Sequence, residues 1–291
     1  MTLSAGAQRQ MDVLLTSQPE SAPWLGGLSV VLAEAADGPS GAPWDAVAVA
    51  TMLRTERSPH SPLLAGAQIL IDNRLAERWV RRVLTLAADV GPEAISLRTV
   101  AAADAFDGRA FLEAAVNADG DHLDALAISL SVEGDALAAA ASLAAMPLLQ
   151  ALHRRFASTI DPQWHEGYCP VCGGWPHLAE QRGLERVRRL RCARCGSDWT
   201  QPGIRCPFCG VTGHEARAAL VSEQDGEARK VETCTRCRGY LKSVSTLRTW
   251  AGDEVSLADL ATVDLDLVAL ERDFERPEAR RLEPGVRVIG T

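Results

Sequence analysis

Four Cys-x-x-Cys units decide what this chain can fold into. Cys169 and Cys172, Cys192 and Cys195, Cys206 and Cys209, and Cys234 and Cys237 use all eight cysteines of the 291 residues, and none lies before position 169. Two intervening residues let a tight turn aim both sulfurs at one point while N–H groups of the turn hydrogen-bond the thiolates. Two such turns complete a tetrahedral four-sulfur shell. Glycine follows at Gly173, Gly196 and Gly210, and one residue later at Gly239, supplying the positive-φ freedom that such turns use.

The gaps between units are 19, 10 and 24 residues. The two long gaps have room for a hairpin within each site, as in zinc ribbons and rubredoxins. Pairing in order is therefore expected: Cys169, Cys172, Cys192 and Cys195 in one site, Cys206, Cys209, Cys234 and Cys237 in the other. Spacing alone also admits crossed or nested pairings. One Cys-x-x-Cys would fit a thiol redox pair equally well; four with nothing left over point to metal. Sulfur-only ligation suits zinc or iron, and the ligands by themselves do not choose between them. A closed four-thiolate shell leaves no open coordination position, so hydrolytic chemistry is not expected there.

Around this segment the pattern is helical. Ile71, Leu75, Trp79, Val83 and Leu86 recur at three and four residues from one another with charges between them, and Leu123, Leu126 and Leu130 repeat the pattern. Glycine, proline or asparagine interrupts it at Gly38 to Gly41, at Ser58 to Pro62, at Gly91-Pro92 and at Asn117 to Asp121. Ala136 to Leu152 is an uncharged run of 17 residues, eight of them alanine, which reads as a buried helix and not a membrane span. After the cysteines, Ser256 with Asp259 predicts a helix start, and Leu257, Leu260, Val263, Leu267, Leu270 and Phe274 form one apolar face until Pro277. The tail beyond has no period.

Charge narrows the class of partner. The chain carries a net −8, so it is not a polybasic binder of nucleic acid or membrane surfaces as a whole. Residues 166–250 hold fourteen Lys and Arg against nine Asp and Glu, a local +5. Eight thiolates with two divalent ions bring this to +1, and two ferric ions to +3, so much of the basicity balances the ligands. Arg186, Arg188, Arg189, Arg191 and Arg194 could still form a stripe, with a solvated strand face the favoured reading. His165, His177 and His214 are expected at the surface, and Trp164, Tyr168, Trp175 and Trp199 packed around the sites. Gly-rich phosphate loops, a Gly-x-Ser-x-Gly elbow and His-Glu-x-x-His are absent from the sequence, so no conventional enzyme is expected. The first residues lack the apolar run of an export signal, which makes the cytoplasm, where thiols stay reduced, the default compartment.

The cysteine segment resembles the formate dehydrogenase accessory protein FdhE family. The likeness is carried by Cys169-Pro-Val-Cys-Gly173 with Pro176, by Leu190-x-Cys192-x-x-Cys195 with Trp199, by Cys206-x-x-Cys209, and by Glu232-x-Cys234-x-x-Cys237-x-x-Tyr240-Leu241-Lys242. It runs on through Asp259-Leu260-Ala261 to Asp266 and covers about residues 169–275. The first half resembles the family only loosely. The resemblance implies a cytoplasmic assembly factor that binds the catalytic subunit of a respiratory formate dehydrogenase and is needed for its activity, with iron held by the eight cysteines. Tyr240 and Lys242, in the family's Tyr-Leu-Lys element, are the candidate partner-binding residues. The expected fold is α+β: a helical domain (1–163), two rubredoxin-like or zinc-ribbon modules (164–204 and 205–250), and a C-terminal helix with its tail (251–291). A nucleic-acid-binding double ribbon and a rubredoxin-like electron carrier are the alternatives.

Overall fold

The computed structural model describes residues 3–36, 43–56, 58–91, 94–221, 226–277 and 285–291. The expected break at Gly38 to Gly41, and Pro92 of the Gly91-Pro92 break, lie outside them. The helical half contains α1 (Ala5–Ser17), α2 (Ala22–Ala35), α3 (Pro43–Ala50), α4 (Asn73–Ala88), α5 (Leu97–Ala102), α6 (Gly108–Asn117), α7 (Gly120–Leu130) and α8 (Gly134–Phe156). The alanine-rich run is α8, the central helix. Small side chains at Ala140, Ala141, Ala144 and Ala145 are fully buried and let α2, α3, α4, α6 and α7 pack closely around it. By length and composition the stretch Gly134–Thr159 would suit a membrane, yet 67% of that window is buried inside the protein. Trp79 of the α4 stripe reaches α8, its indole N–H donating to the Ala144 carbonyl at 2.8 Å, and packs edge-to-face on Trp44 at 5.8 Å.

The α4 stripe begins later than its period suggests. Asp72 caps the helix by accepting from the Leu75 N–H at 2.8 Å. Ile71 instead ends β1 (Gln68–Ile71), which pairs in parallel with β8 (Arg287–Gly290) from the aperiodic tail. The Asn117 to Asp121 break is a helix junction, with Ala118 left-handed and Asp119 capping α7.

The cysteine half forms one continuous sheet. β2 (Leu178–Arg182), β3 (Val187–Arg191) and β4 (Asp198–Trp199) belong to the first cysteine site; β5 (Arg217–Val221), β6 (Arg229–Cys234) and β7 (Tyr240–Thr246) belong to the second. The strand order is β4-β3-β2-β7-β6-β5, and the parallel pair β2–β7 joins the two modules. Each long gap between cysteine units does hold antiparallel strands, β2–β3 in one and β5–β6 in the other.

The C-terminal helix expected from Ser256 is two helices, α9 (Gly252–Leu260) and α10 (Val263–Leu270). The start lies four residues earlier, where the Glu254 carboxylate accepts from the Ala251 N–H at 2.8 Å. Thr262 marks the break: its hydroxyl donates to the carbonyls of Ala258 and Asp259, at 2.8 and 3.0 Å, in competition with the helix ladder. The expected apolar face is accordingly divided. Leu265 and Ala269 turn inward, whereas Val263, Leu267 and Leu270 face out.

Candidate metal centres

The same turn is built four times. In the first three units the residue after the second cysteine donates its N–H to the carbonyl of the first cysteine, at 2.9–3.0 Å, and that residue is left-handed: Gly173, Gly196 and Gly210. In the fourth the left-handed residue is Arg238, at φ 59°, and Gly239 has another reason to be there. A Cβ at Gly239 would lie 2.8 Å from the Phe208 ring and 3.2 Å from the Cys237 sulfur.

These turns bring the sulfurs of Cys169, Cys172, Cys192 and Cys195 within 4.8 Å of one another, and likewise those of Cys206, Cys209, Cys234 and Cys237. Opposed sulfurs lie 3.4 Å (Cys169–Cys195) and 3.6 Å (Cys172–Cys192) apart in the first group, and 3.8 Å (Cys206–Cys237 and Cys209–Cys234) in the second. A disulfide would need about 2.0 Å. A tetrahedral shell with metal–sulfur bonds of about 2.3 Å has edges of about 3.8 Å, so both donor sets fit a single four-coordinate ion. Crossed and nested pairings are not adopted.

The two groups differ in setting. All four cysteines of the first are buried, and they belong to the same apolar core as the helices. The loop ahead of β1 is laced to the first turn, Leu63 and Leu64 donating to the carbonyls of Pro170 and Val171 at 2.7 and 3.1 Å. Arg194 reaches back to cap α6, donating to the carbonyls of Ala115 and Val116 at 2.7 and 2.9 Å. Burial pushes the Cys169 and Cys195 thiols up, while hydrogen bonds from Cys169, Cys192 and Cys195 pull Cys172 well below the usual thiol range. One thiolate is thus favoured before any ion arrives. In the second group Cys206 and Cys234 are buried, but Cys209 and Cys237 are exposed. Against the cost of burial, the N–H groups of Cys237 and Arg236 bring Cys234 down to about 7.

Aromatic rings bridge the groups. Trp164, Tyr168, Trp175 and Phe208 follow one another edge-to-face at 5.4, 6.3 and 5.6 Å, and Phe208 lies within the third turn. Trp199, also buried, donates its indole N–H to the Glu166 carbonyl at 2.9 Å.

The arginines do not form an open stripe. Arg188 is paired with Glu232 at 2.7 Å and Arg189 with Asp198 at 2.8 Å; Arg191, almost fully buried, is paired with Glu180. Glu180 also accepts from Arg182 at 2.9 Å, Thr246 at 3.1 Å and the Trp250 N–H at 3.0 Å, so its buried charge is fully hydrogen-bonded. Strand alternation placed these side chains on both faces of the sheet, opposite carboxylates far away in sequence. Of the three histidines, His165 and His214 are exposed as expected. His177 is not: it is half-buried, its Nδ1 accepts from the Ala193 N–H at 3.3 Å, and burial lowers its pKa to about 4.

Tyr240 and Lys242 lie two apart on β7 and so share a face. Both are buried. The Tyr240 hydroxyl donates to Asp266 at 2.7 Å, and the Lys242 ammonium meets Asp259 at 2.8 Å and Asp266 at 2.7 Å. Arg276 closes this cluster onto the same two carboxylates at 2.7 and 2.9 Å. Despite burial, Arg276 and Lys242 hold the Asp259 carboxyl down to about 2. Sequence reading missed this cluster. The i, i+2 spacing of Tyr240 and Lys242 was the available signal, and the acidic Asp259 and Asp266 its complement.

Comparison with known proteins gives a concordant result. The family model described as "FdhE, C-terminal domain" matches residues 204–282. A protein named as an FdhE homolog from Aquifex aeolicus is 32% identical over 136 residues, 45% of this chain and 47% of that protein. Another from Stutzerimonas stutzeri is 34% identical over 111 residues, 37% of this chain and 35% of that protein. The matched segments thus span less than half the length of these curated relatives. The crystal structure of the FdhE protein from Pseudomonas aeruginosa matches the fold with a TM-score of 0.57 at 20% identity, over 97% of this chain and 96% of that one. In sequence the cysteine-bearing half is similar to FdhE proteins, and along its length the chain shares the fold of the Pseudomonas aeruginosa FdhE protein.

Proposed function

We propose that the chain is a cytoplasmic accessory factor that binds the catalytic subunit of a formate dehydrogenase and is needed for that enzyme's activity. The carrying observation is the gathering of all eight cysteines into two four-sulfur groups built from one repeated turn, in a segment similar in sequence to FdhE proteins. Cys169, Cys172, Cys192 and Cys195 would hold one ion, and Cys206, Cys209, Cys234 and Cys237 a second, with iron the expected metal and zinc the alternative. Bound there, iron would supply a one-electron couple and zinc a purely structural pin. The chain's own contribution is to gather the thiolates, to donate N–H groups to them and to fill the space between the groups with aromatic rings. Four thiolates complete either shell, which supports a binding protein over an enzyme. The internal pairing of Arg188, Arg189 and Arg191 supports a protein partner over a nucleic acid. Tyr240 and Lys242 would act on the partner indirectly, by fixing α9 and α10 against the sheet.

The test is co-purification of the formate dehydrogenase catalytic subunit with this protein, expected to be lost when Cys169 and Cys172 both become serine. Full formate dehydrogenase activity in cells lacking the protein would refute the reading. Metal analysis and an absorption spectrum after oxygen-free purification separate the ions: two irons per chain with a ferric-thiolate spectrum, or two zincs and no colour. The exposure of Cys209 and Cys237 favours a second reading, electron transfer, for which reversible colour change on chemical reduction is the mark.

A further inference from the structure

A cavity of about 230 Å³ lies where the helical half, both cysteine modules and the segment after α10 converge. Every cysteine turn contributes to its wall: Trp175 follows the first turn, Arg194 lies within the second, Phe208 lies within the third and Tyr240 follows the fourth. Ser142 of α8 and Ala118, at the end of α6, line it from the helical side. Trp175 and Phe208 stand edge-to-face at 5.6 Å and join the two modules along an aromatic wall. No Asp or Glu lines the cavity.

Two donors are left over inside this aromatic frame. The Arg194 guanidinium donates from Nη2 to the Ala115 and Val116 carbonyls at 2.7 and 2.9 Å. Its Nε and Nη1 have no partner, and no carboxylate pairs with its charge, among the described residues. His177 lines the same cavity, and its Nδ1 accepts from the Ala193 N–H at 3.3 Å. The neutral ring therefore carries its hydrogen on Nε2, which has no partner among the described residues. Ala193 precedes Arg194, so the same bond keeps the two donors near one another, and the Arg194 charge acts on the ring. Arg276, the other cation at the wall, is committed to Asp259 and Asp266. A single unmatched cation suits a singly charged carboxylate better than a phosphate dianion, and the imidazole N–H offers a donor for its second oxygen. Apolar walls with a few convergent polar groups are the ordinary make-up of a small-ligand site. We infer that this cavity binds an aromatic carboxylate, its oxygens taken by Arg194 and His177 and its ring by Trp175 and Phe208. A free aromatic acid and the carboxy-terminal aromatic residue of a polypeptide present the same chemistry. The inference stands apart from the reading of the chain as an accessory factor.

The full-length protein, purified without oxygen, is titrated by calorimetry with phenylacetate, with its uncharged amide and with acetate, which lacks the ring. Phenylacetate is expected to bind at least about tenfold more tightly than either. Arg194→Gln is expected to weaken phenylacetate at least about tenfold. Because Arg194 also caps α6 and favours the Cys172 thiolate, metal content is measured beside that variant, and a second one leaves the cysteine turns alone. Ser142→Trp, at an exposed position of α8, fills the mouth of the cavity and should abolish binding with unchanged metal content and circular dichroism. Short peptides ending in phenylalanine, as free acid and as carboxamide, identify the source. A free-acid peptide that binds more tightly than phenylacetate points to a polypeptide terminus, and one that binds more weakly points to a small aromatic acid. Amide or acetate binding as tightly as phenylacetate would overturn the inference, as would wild-type affinity in Ser142→Trp or in metal-replete Arg194→Gln. So would the absence of binding by both phenylacetate and the free-acid peptide at millimolar concentration.

Discussion

Arg238 takes a left-handed conformation that costs a non-glycine residue about 1 kcal/mol or more, although glycine is the next residue. Its side chain explains the choice. The guanidinium donates to the carbonyls of Asp273 and Arg272 at 2.9 and 2.5 Å, and lies over the Phe274 ring at 4.1 Å, so it secures the end of α10 to the fourth turn. Gly239 is required for space beside Phe208 and Cys237, a constraint that spacing alone cannot announce. His177 offers a sharper test at the same scale. Its pKa is lowered to about 4 by burial, below the usual 6.5, so the unfolded chain holds the proton more tightly than the folded one. The stability this neutral ring supports is complete above about pH 6.5 and is lost progressively as pH falls toward 4, by roughly 3 kcal/mol at most. In His177→Asn the amide oxygen can still accept from Ala193, but the titration is gone. Denaturant unfolding from pH 7 to 5, within which the two proteins are compared, should show the wild type losing stability relative to the variant; parallel pH profiles would contradict this.

At the scale of elements, the clearest unforeseen feature is β8. Four residues, Arg287–Gly290, give no readable period, and the strand forms because α6 and β1 offer partners for its backbone. Asn117 donates to the Val286 carbonyl at 2.8 Å and accepts its N–H at 2.7 Å; Glu113 accepts from Val288 at 2.6 Å, and Arg109 donates to the Val288 carbonyl at 2.9 Å. Asn117→Ala should therefore cost about 2 kcal/mol, since it leaves the Val286 N–H and C=O without their partner. Denaturant unfolding would read the loss, and hydrogen exchange should quicken at Val286 and Val288; unchanged protection there would refute the assignment. The same logic marks what the sequence could and could not disclose. Cys-x-x-Cys turns are local devices, so their spacing announces them and the hairpin-sized gaps suggest their pairing. The β2–β7 junction is made between strands about sixty residues apart, and no local pattern encodes it. The division of α9 from α10 was hidden for another reason: the apolar period runs on through Thr262, while the hydroxyl of Thr262 and the pull of Lys242 on Asp259 and Asp266 decide the break.

Across the whole molecule the two cysteine groups have unequal work. Cys169, Cys172, Cys192 and Cys195 lie in the core shared with α4, α6 and α8, so an ion there would pin the helical half as well as the sheet. Cys209 and Cys237 stand at the surface, and an ion beside them is open to chelators and oxidants. Metal should therefore leave in two phases under a chelator, the second group emptying first. Cys209→Ser should remove the fast phase, keep one tightly held ion and leave the melting of the helical half within about 1 °C of wild type. Cys172→Ser should lower that melting by about 5 °C, as expected for a loss of about 3 kcal/mol in a chain of this size, because the thiolate favoured by its neighbours sits inside the common core. Metal content measured beside far-ultraviolet circular dichroism distinguishes the outcomes. Release in a single phase, or equal shifts for the two variants, would mean that the continuous sheet couples the groups so strongly that burial no longer sets their order of release.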